Sequence, residues 1–372
     1  MTRRQLLAAL GAAAAAPPPV FGVPAPPVAI ARCTSYEEDF VSHFRRMFDQ
    51  LGGASRLVRG KTVTVKLNLT GSPALRIEGR PLGVTHYTHP KTAAALAHVL
   101  SEAGARRIRF VESCWATAGP LEEYLLESGW NLRTLRAAAP NLEFVNTNSR
   151  GAHKRYARFK VPSGGLIYPA YDLNVAYEET DVLVSMAKLK NHETCGITLA
   201  MKNIFGITPA SVYGDDAGID EPNENPEKGR AITCHFGKRQ PAKSAPGELD
   251  PTSSRDAGYR MPRITAELNA ACPIGISFID GVESIAGGEG PWVRGIRYVR
   301  PGVLILGTNA VTTDTVGTAL MGYDPRAPKG THPFTNCDNT LLLAEQLGLG
   351  SARLTSIDIR GAQLADLVSR FD

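Results

Sequence analysis

Short apolar runs rich in β-branched residues recur along the chain, each bounded by turn residues. "KTVTVKLNL" (61–69) and "RRIRFVES" (106–113) read as strands of this kind. Between them, "THPKTAAALAHVLSEAGA" (88–105) has Pro90 near its start, an Ala/Leu-rich periodic interior and a terminating Gly104, which is helix punctuation. Strand, helix and strand in that order predict a parallel pair with a right-handed crossover.

The alternation continues. "LEEYLLESGW" (121–130) predicts an amphipathic helix stopped at Gly129, and "LEFVNTN" another strand. "DVLVSMAKLK" (181–190), "PIGISFIDGVES" (273–284) and "GVLILGTN" (302–309) predict three more strands, the last followed by a helix over "AVTTDTVGTALMG". The tail predicts a helix at "NTLLLAEQLGLG" (339–350) and a strand at "LTSIDIRG". The implied fold class is α/β: a mainly parallel sheet with helices on both faces. Residues 211–262 break the pattern, being rich in Gly, Pro and charge with little apolar periodicity. Irregular spans beyond about 12–15 residues are uncommon inside a domain. The expected organisation is therefore one α/β domain over 31–372, or two α/β lobes, with 211–262 as a lid or a mobile excursion.

The N-terminus changes the picture. "MTRRQLLAALGAAAAAPPP" has paired arginines, a short apolar run and then small residues, the pattern of an export signal, and Arg3-Arg4 fits the twin-arginine type. With the Pro-rich stretch behind it, residues 1–30 read as signal and linker. This predicts passage through the twin-arginine export machinery to the periplasm or outside, with no integral membrane segment after cleavage. The 41 basic residues exceed the 36 acidic ones by only +5, too diffuse for a nucleic-acid partner. Six scattered cysteines contain no C-x-x-C pair and no iron–sulfur ligand run.

Candidate chemistry lies at the strand ends, where open α/β sheets bind ligands. The first strand delivers Lys66 and Asn68 on one parity, and the next ends in Glu112, the expected partner of a buried Lys66. "KLKNHETCGITLAMKNIFG" (188–206) follows an apolar run with Lys188, Lys190 and His192, then a helix carrying Lys202-Asn203 in its last turn and ending at Gly206. "GISFID" ends in Asp280, with Glu283 and the turn "GGEGP" (287–291) close behind. Ordinary solvated charges would also stand at strand ends, and Lys202 also suits a helix dipole. Together, however, these cations suit a small anionic ligand, with a lysine or His192 moving protons. His86 and His89 form an i, i+3 pair that, with His192, Asp280 or Glu112, would make a mixed metal site; no closed ligand set is visible. Walker spacing, a G-x-G-x-x-G opening and a G-x-S-x-G elbow are absent.

"VTVKLNLTG", "THYTHPKTAAALAHVLSEAGARRIRFVES", "DVLVSMAKLKNHETCGITLAMKNIFG", "FIDGVESIAGGEGP" and "TDTVGTALMGYDP" resemble, in the same order, the family known as domain of unknown function 362. The resemblance spans about residues 60 to 350 and is most specific in the lysine–histidine block. It implies that Lys66, Asn68, Glu112, Lys190, His192, Lys202, Asn203, Asp280 and Asp314 stand at motif positions. It supplies no reaction. Many relatives carry an appended ferredoxin-like module; with no ligand motif here, no cluster is expected. The candidate proton-transfer groups are thus Lys190, His192 and Lys202. The candidate binding groups are Lys66, Asn68, Glu112, Lys188, Asn203, Asp280 and Asp314. The alternative is a non-catalytic protein that holds a metal or cofactor.

Overall fold

The computed structural model describes residues 22–149 and 156–372. The twin-arginine-type signal expected around Arg3-Arg4 lies outside the described residues. In chain order the strands are β1 (Val28–Arg32), β2 (Thr62–Lys66), β3 (Arg107–Glu112), β4 (Leu142–Asn146), β5 (Tyr156–Lys160), β6 (Ala170–Asn174) and β7 (Val182–Lys188). They continue as β8 (Asn191–His192), β9 (Gly196–Ile197), β10 (Ile276–Gly281), β11 (Ser284–Ala286), β12 (Arg297–Val299), β13 (Val303–Gly307) and β14 (Ile359–Gly361). Eight of them form one sheet in the order β14-β1-β13-β10-β7-β2-β3-β4, and the rest form three two-stranded ribbons.

The sheet is mainly parallel. β2, β3 and β4 step outward in parallel register, and the chain then returns to lay β7 along the other side of β2. β10 follows in parallel on β7. β13 runs antiparallel to both β10 and β1. The direction of travel therefore reverses between β2 and β7, which makes their carboxyl ends a topological switch point, the usual place for a ligand crevice.

Period-two burial explains the two cores. Val63, Val65, Val184, Met186 and Phe278 face a core shared with Phe44, Leu96 and Leu100 from the helices Phe40–Gln50 and Pro90–Glu102. Leu183, Ile279, Val303 and Ile305 face the opposite core, with Ile264, Leu268, Val316 and Leu320 from the helices Ala257–Ala271 and Ala310–Leu320. Helices thus cover both faces, as expected.

Three features depart from the sequence pattern. β1 begins at Val28, inside the stretch read as linker, because its apolar residues complete the sheet between β13 and β14. The helix Ala257–Ala271 starts inside the irregular segment and carries Pro262 within it. The Gly258 carbonyl, which loses its helical donor to that proline, accepts the N–H of Asp338 at 2.9 Å instead. Residues 214–256 hold only one short helical turn, Ala231–His235, yet backbone bonds such as Leu249 N–H to Ile167 O (2.9 Å) and Asn223 N–H to Ser211 O (2.8 Å) tie them down.

Candidate functional site

A cavity of about 560 Å³ opens at the switch point. Its wall is built from the ends of β2 and β3, the loop after β7, the helix Leu199–Asn203, the segment 229–236 and the turn around Glu289.

Lys66 enters from the last residue of β2. Its ammonium lies 2.6 Å from Glu112 of the neighbouring β3 and donates to the Leu67 carbonyl at 2.6 Å. The other Glu112 oxygen accepts the Leu69 N–H at 2.9 Å, so this carboxylate fixes the strand end as well as the cation. Burial pushes the Lys66 pKa down, and Glu112 works against that. Asn68 donates to Asn203 Oδ1 at 3.1 Å, while its own Oδ1 is buried without a partner.

Lys190 is wholly buried and donates to two carbonyls, His86 O and Glu289 O, both at 3.0 Å. Carbonyls solvate an ammonium less well than a carboxylate would, and burial brings its pKa down to about 7. His192 is held well below the ordinary histidine range, chiefly by burial. Its Nδ1 accepts the Thr194 N–H at 3.2 Å, so the neutral ring carries its proton on Nε2. Glu289, whose carboxylate is 3.7 Å from that Nδ1, accepts the Glu193 N–H at 3.0 Å and the Trp292 indole at 2.8 Å. Burial opposes its charge, but the neighbouring His192 and those donors outweigh it and hold it at about 2.

Lys202 differs from its neighbours. It projects from the last turn of the helix Leu199–Asn203, is 9% exposed, and its ammonium stands 4.4 Å from the centre of the Phe205 ring. No ion pair to Lys202 is formed among the described residues. Burial lowers its pKa, Cys195 and Glu289 work against that, and Arg230 and Lys66 add repulsion. Arg230 donates to Ser113 Oγ (2.5 Å) and Thr208 O (2.7 Å) and brings a further cation to the same wall.

Lys66, Asn68, Glu112, Lys190, His192, Lys202 and Asn203 therefore meet at one cavity. Lys188, Asp280 and Asp314 do not line it. Lys188 lies in the last position of β7, buried against Asp280 at 3.3 Å, and donates to Tyr36 Oη (2.8 Å) and the carbonyls of Gly83 and Glu283. Asp280 also accepts the Tyr36 hydroxyl at 2.9 Å, so the pair ties the first loop to the sheet. Asp314 accepts the N–H groups of Ala200 and Met201, each at 2.8 Å, and so anchors the start of the helix that carries Lys202. The preceding residue there, Leu199, takes a left-handed φ of 41°, a conformation that needs such support.

Among the described residues, no group of three metal-ligating side chains includes His86 or His89. His86 is buried against Thr85, while His89 caps its helix by accepting the Lys91 N–H at 3.2 Å and stacks 3.6 Å from Tyr36. Among the described residues, one trio stands close enough to share an ion: Cys33, Glu38 and His43, with donor atoms within 4.8 Å of one another. His43 Nε2 already bonds Glu38 at 2.9 Å, and burial pushes the Cys33 thiol up to about 12. The six cysteines are all buried, and none is in a disulfide.

Sequence reasoning missed Arg230 and His235, which lie in the segment without periodicity, and the two tryptophans, Trp115 and Trp292. Glu289 was visible only as the centre of a glycine turn, "GGEGP".

The class is thus an α/β protein with a lysine-rich cavity at the switch point of a mainly parallel sheet. Residues 63–319 match the family described as Domain of unknown function (DUF362), and the chain belongs to that family. A thylakoid-associated protein of Synechocystis sp. is 27% identical over 188 residues, covering 50% of this chain and 51% of that protein. The chain thus spans about half the length of this curated relative. Among solved structures, a Thermotoga maritima protein overlaps with a TM-score of 0.37 at 16% identity, over 73% of this chain and 56% of that one. The lactate racemase apoprotein from Thermoanaerobacterium thermosaccharolyticum overlaps with a TM-score of 0.33 at 14% identity, over 74% and 54%.

Proposed function

We propose that this is an exported protein whose cavity binds a small oxyanion, a phosphate or carboxylate, and exchanges a proton with it through Lys190. One observation carries the reading: Lys202, 9% exposed, turns its ammonium to the cavity with a ring face beside it and no direct ion pair among the described residues, Glu289 acting on it only from a distance. A buried charge needs a partner, and a bound oxyanion supplies one. Arg230 adds positive field, and His192 Nε2–H adds a neutral donor. Lys190, at about 7, is half-protonated near neutrality and can both give and take a proton. Export rests on the Arg3-Arg4 signal pattern.

Isothermal titration with inorganic phosphate and with acetate tests the reading. Lys202→Met, which keeps the stem and removes the charge, is expected to weaken binding at least tenfold. Unchanged affinity for both anions would overturn it.

A second reading, a cofactor-holding protein without turnover, draws on His235 Nε2 and Asn68 Oδ1, which line the cavity wall buried and unpartnered. Elemental and mass analysis of protein purified from its native compartment decides: neither a stoichiometric metal nor a co-purifying organic molecule would end it.

A further inference from the structure

The cavity is much larger than an oxyanion needs. At about 30 Å³ per water, 560 Å³ holds roughly nineteen waters, whereas a bare phosphate or acetate displaces only a few. What surrounds the remaining space is apolar. Nine large apolar side chains stand exposed among the described residues, and four of them line this one cavity: Leu75, Trp115, Phe236 and Trp292. Scattered exposed apolar residues need no explanation, but a cluster continuous with a binding cavity does.

Trp292 is held in place, and Trp115 has a close backbone neighbour. Trp292 is 47% exposed, yet its indole donates to Glu289 at 2.8 Å and its ring fits between two glycines. A Cβ on Gly71 would lie 2.5 Å from the ring, and one on Gly290 would lie 2.3 Å from it. Gly71 has a φ of +80°, and its carbonyl accepts the hydroxyls of both Tyr87 and Tyr124. Trp115, 45% exposed, is approached in the same way: a Cβ on Gly229 would stand 3.0 Å from its indole nitrogen. Rings fixed before binding lose little freedom when a ligand covers them.

We infer that the ligand is amphiphilic, with an oxyanion head on the lysine floor and an apolar body covered by Trp115 and Trp292 at the mouth. This rests on the oxyanion reading above and extends it to the substrate class. An apolar body removes indole and leucine surface from water, which adds affinity beyond the head group. A bare inorganic ion or a highly hydroxylated sugar acid would leave that surface wet.

Two pairs of probes test this on the full chain: inorganic phosphate against phenyl phosphate, and acetate against phenylacetate, each titrated by calorimetry and by tryptophan fluorescence. In at least one pair the aryl member is expected to bind tenfold or more tightly, with fluorescence quenched. Within each variant, Trp115→Ala and Trp292→Ala should bring the aryl-to-simple ratio down toward one. The inference is overturned if neither pair shows the increment, if both variants keep it, or if benzyl alcohol binds as tightly as phenyl phosphate. The two readings fail separately. An unchanged affinity of Lys202→Met for the simple anions defeats the oxyanion reading, whereas a missing aryl increment with normal anion binding defeats only this one. No binding of any probe defeats both.

Discussion

Gly206 lies so close to the Lys66–Glu112 pair that a Cβ there would stand 2.6 Å from the Lys66 ammonium and 3.1 Å from the Glu112 carboxylate. The pair itself spans adjacent parallel strands, and Gly206 closes over it from the turn after the Lys202 helix. Three distant parts of the sequence thus meet where the cavity begins.

Gly206→Ala should therefore force the buried ion pair apart or shift the turn. Overpacking of this kind costs about 1–3 kcal/mol. A urea-denaturation midpoint identical to the wild type would show that the turn has slack that the close approach denies.

Glu112→Leu should cost more, because it leaves the Lys66 ammonium buried without its carboxylate. Removing one partner of a buried pair typically costs about 3–5 kcal/mol. Replacing both partners, as Lys66→Met with Glu112→Leu, should recover much of that loss, and the resulting double-mutant cycle measures the coupling. Additive single effects would mean that the two side chains do not act as a pair.

Lys190 sets a pH dependence. Its pKa falls from about 10.4 when unfolded to about 7 in the fold, so between those values the unfolded chain binds the extra proton. Stability contributed by this group accordingly rises with pH across that window. Affinity for inorganic phosphate should move the other way, weakening as pH climbs through about 7 and the ammonium is lost. Calorimetry from about pH 6 to about pH 8, roughly one unit either side of that value, should show a clear slope for the wild type and a shallower one for Lys190→Met. Equal slopes would remove Lys190 from the titration.

Asp314 offers a contrast, since it holds the helix Leu199–Asn203 without lining the cavity. Asp314→Ala orphans two buried N–H groups and should cost about 2–6 kcal/mol, at roughly 1–3 for each lost acceptor. Burial raises the carboxyl to about 8, so the fold binds the extra proton between about 3.9 and 8 and stability from this group falls as pH rises. The substitution should thus cost more at about pH 5 than at about pH 9, within the window set by those pKa values. Denaturation curves at the two values check the sign.

Much of this was legible from pattern. Strands such as β2, β3, β7 and β13 are buried on both faces and so read as β-branched runs, and Pro90 and Gly104 bracket a helix by local backbone preference. Lys66 and Glu112 could be paired on paper because parallel neighbours with similar ends bring their last residues together. The strand pattern by itself does not separate Lys188 from Lys190; only the family resemblance sets Lys190 apart. Both end an apolar strand two residues from each other, yet Lys188 is spent on Asp280 and Tyr36 while Lys190 meets only carbonyls at the cavity.

What the sequence determined by itself is local: which runs become strands and helices, and that charges gather at strand ends, since alternation and turn chemistry act over a few residues. The tertiary structure alone decided which charges are neutralised by one another and which are left for a ligand. It also decided that Arg230 and His235 from an unpatterned segment share a wall with lysines far away in the chain. Such choices depend on distances of a few ångströms between groups separated by a hundred residues or more, and no periodicity records them.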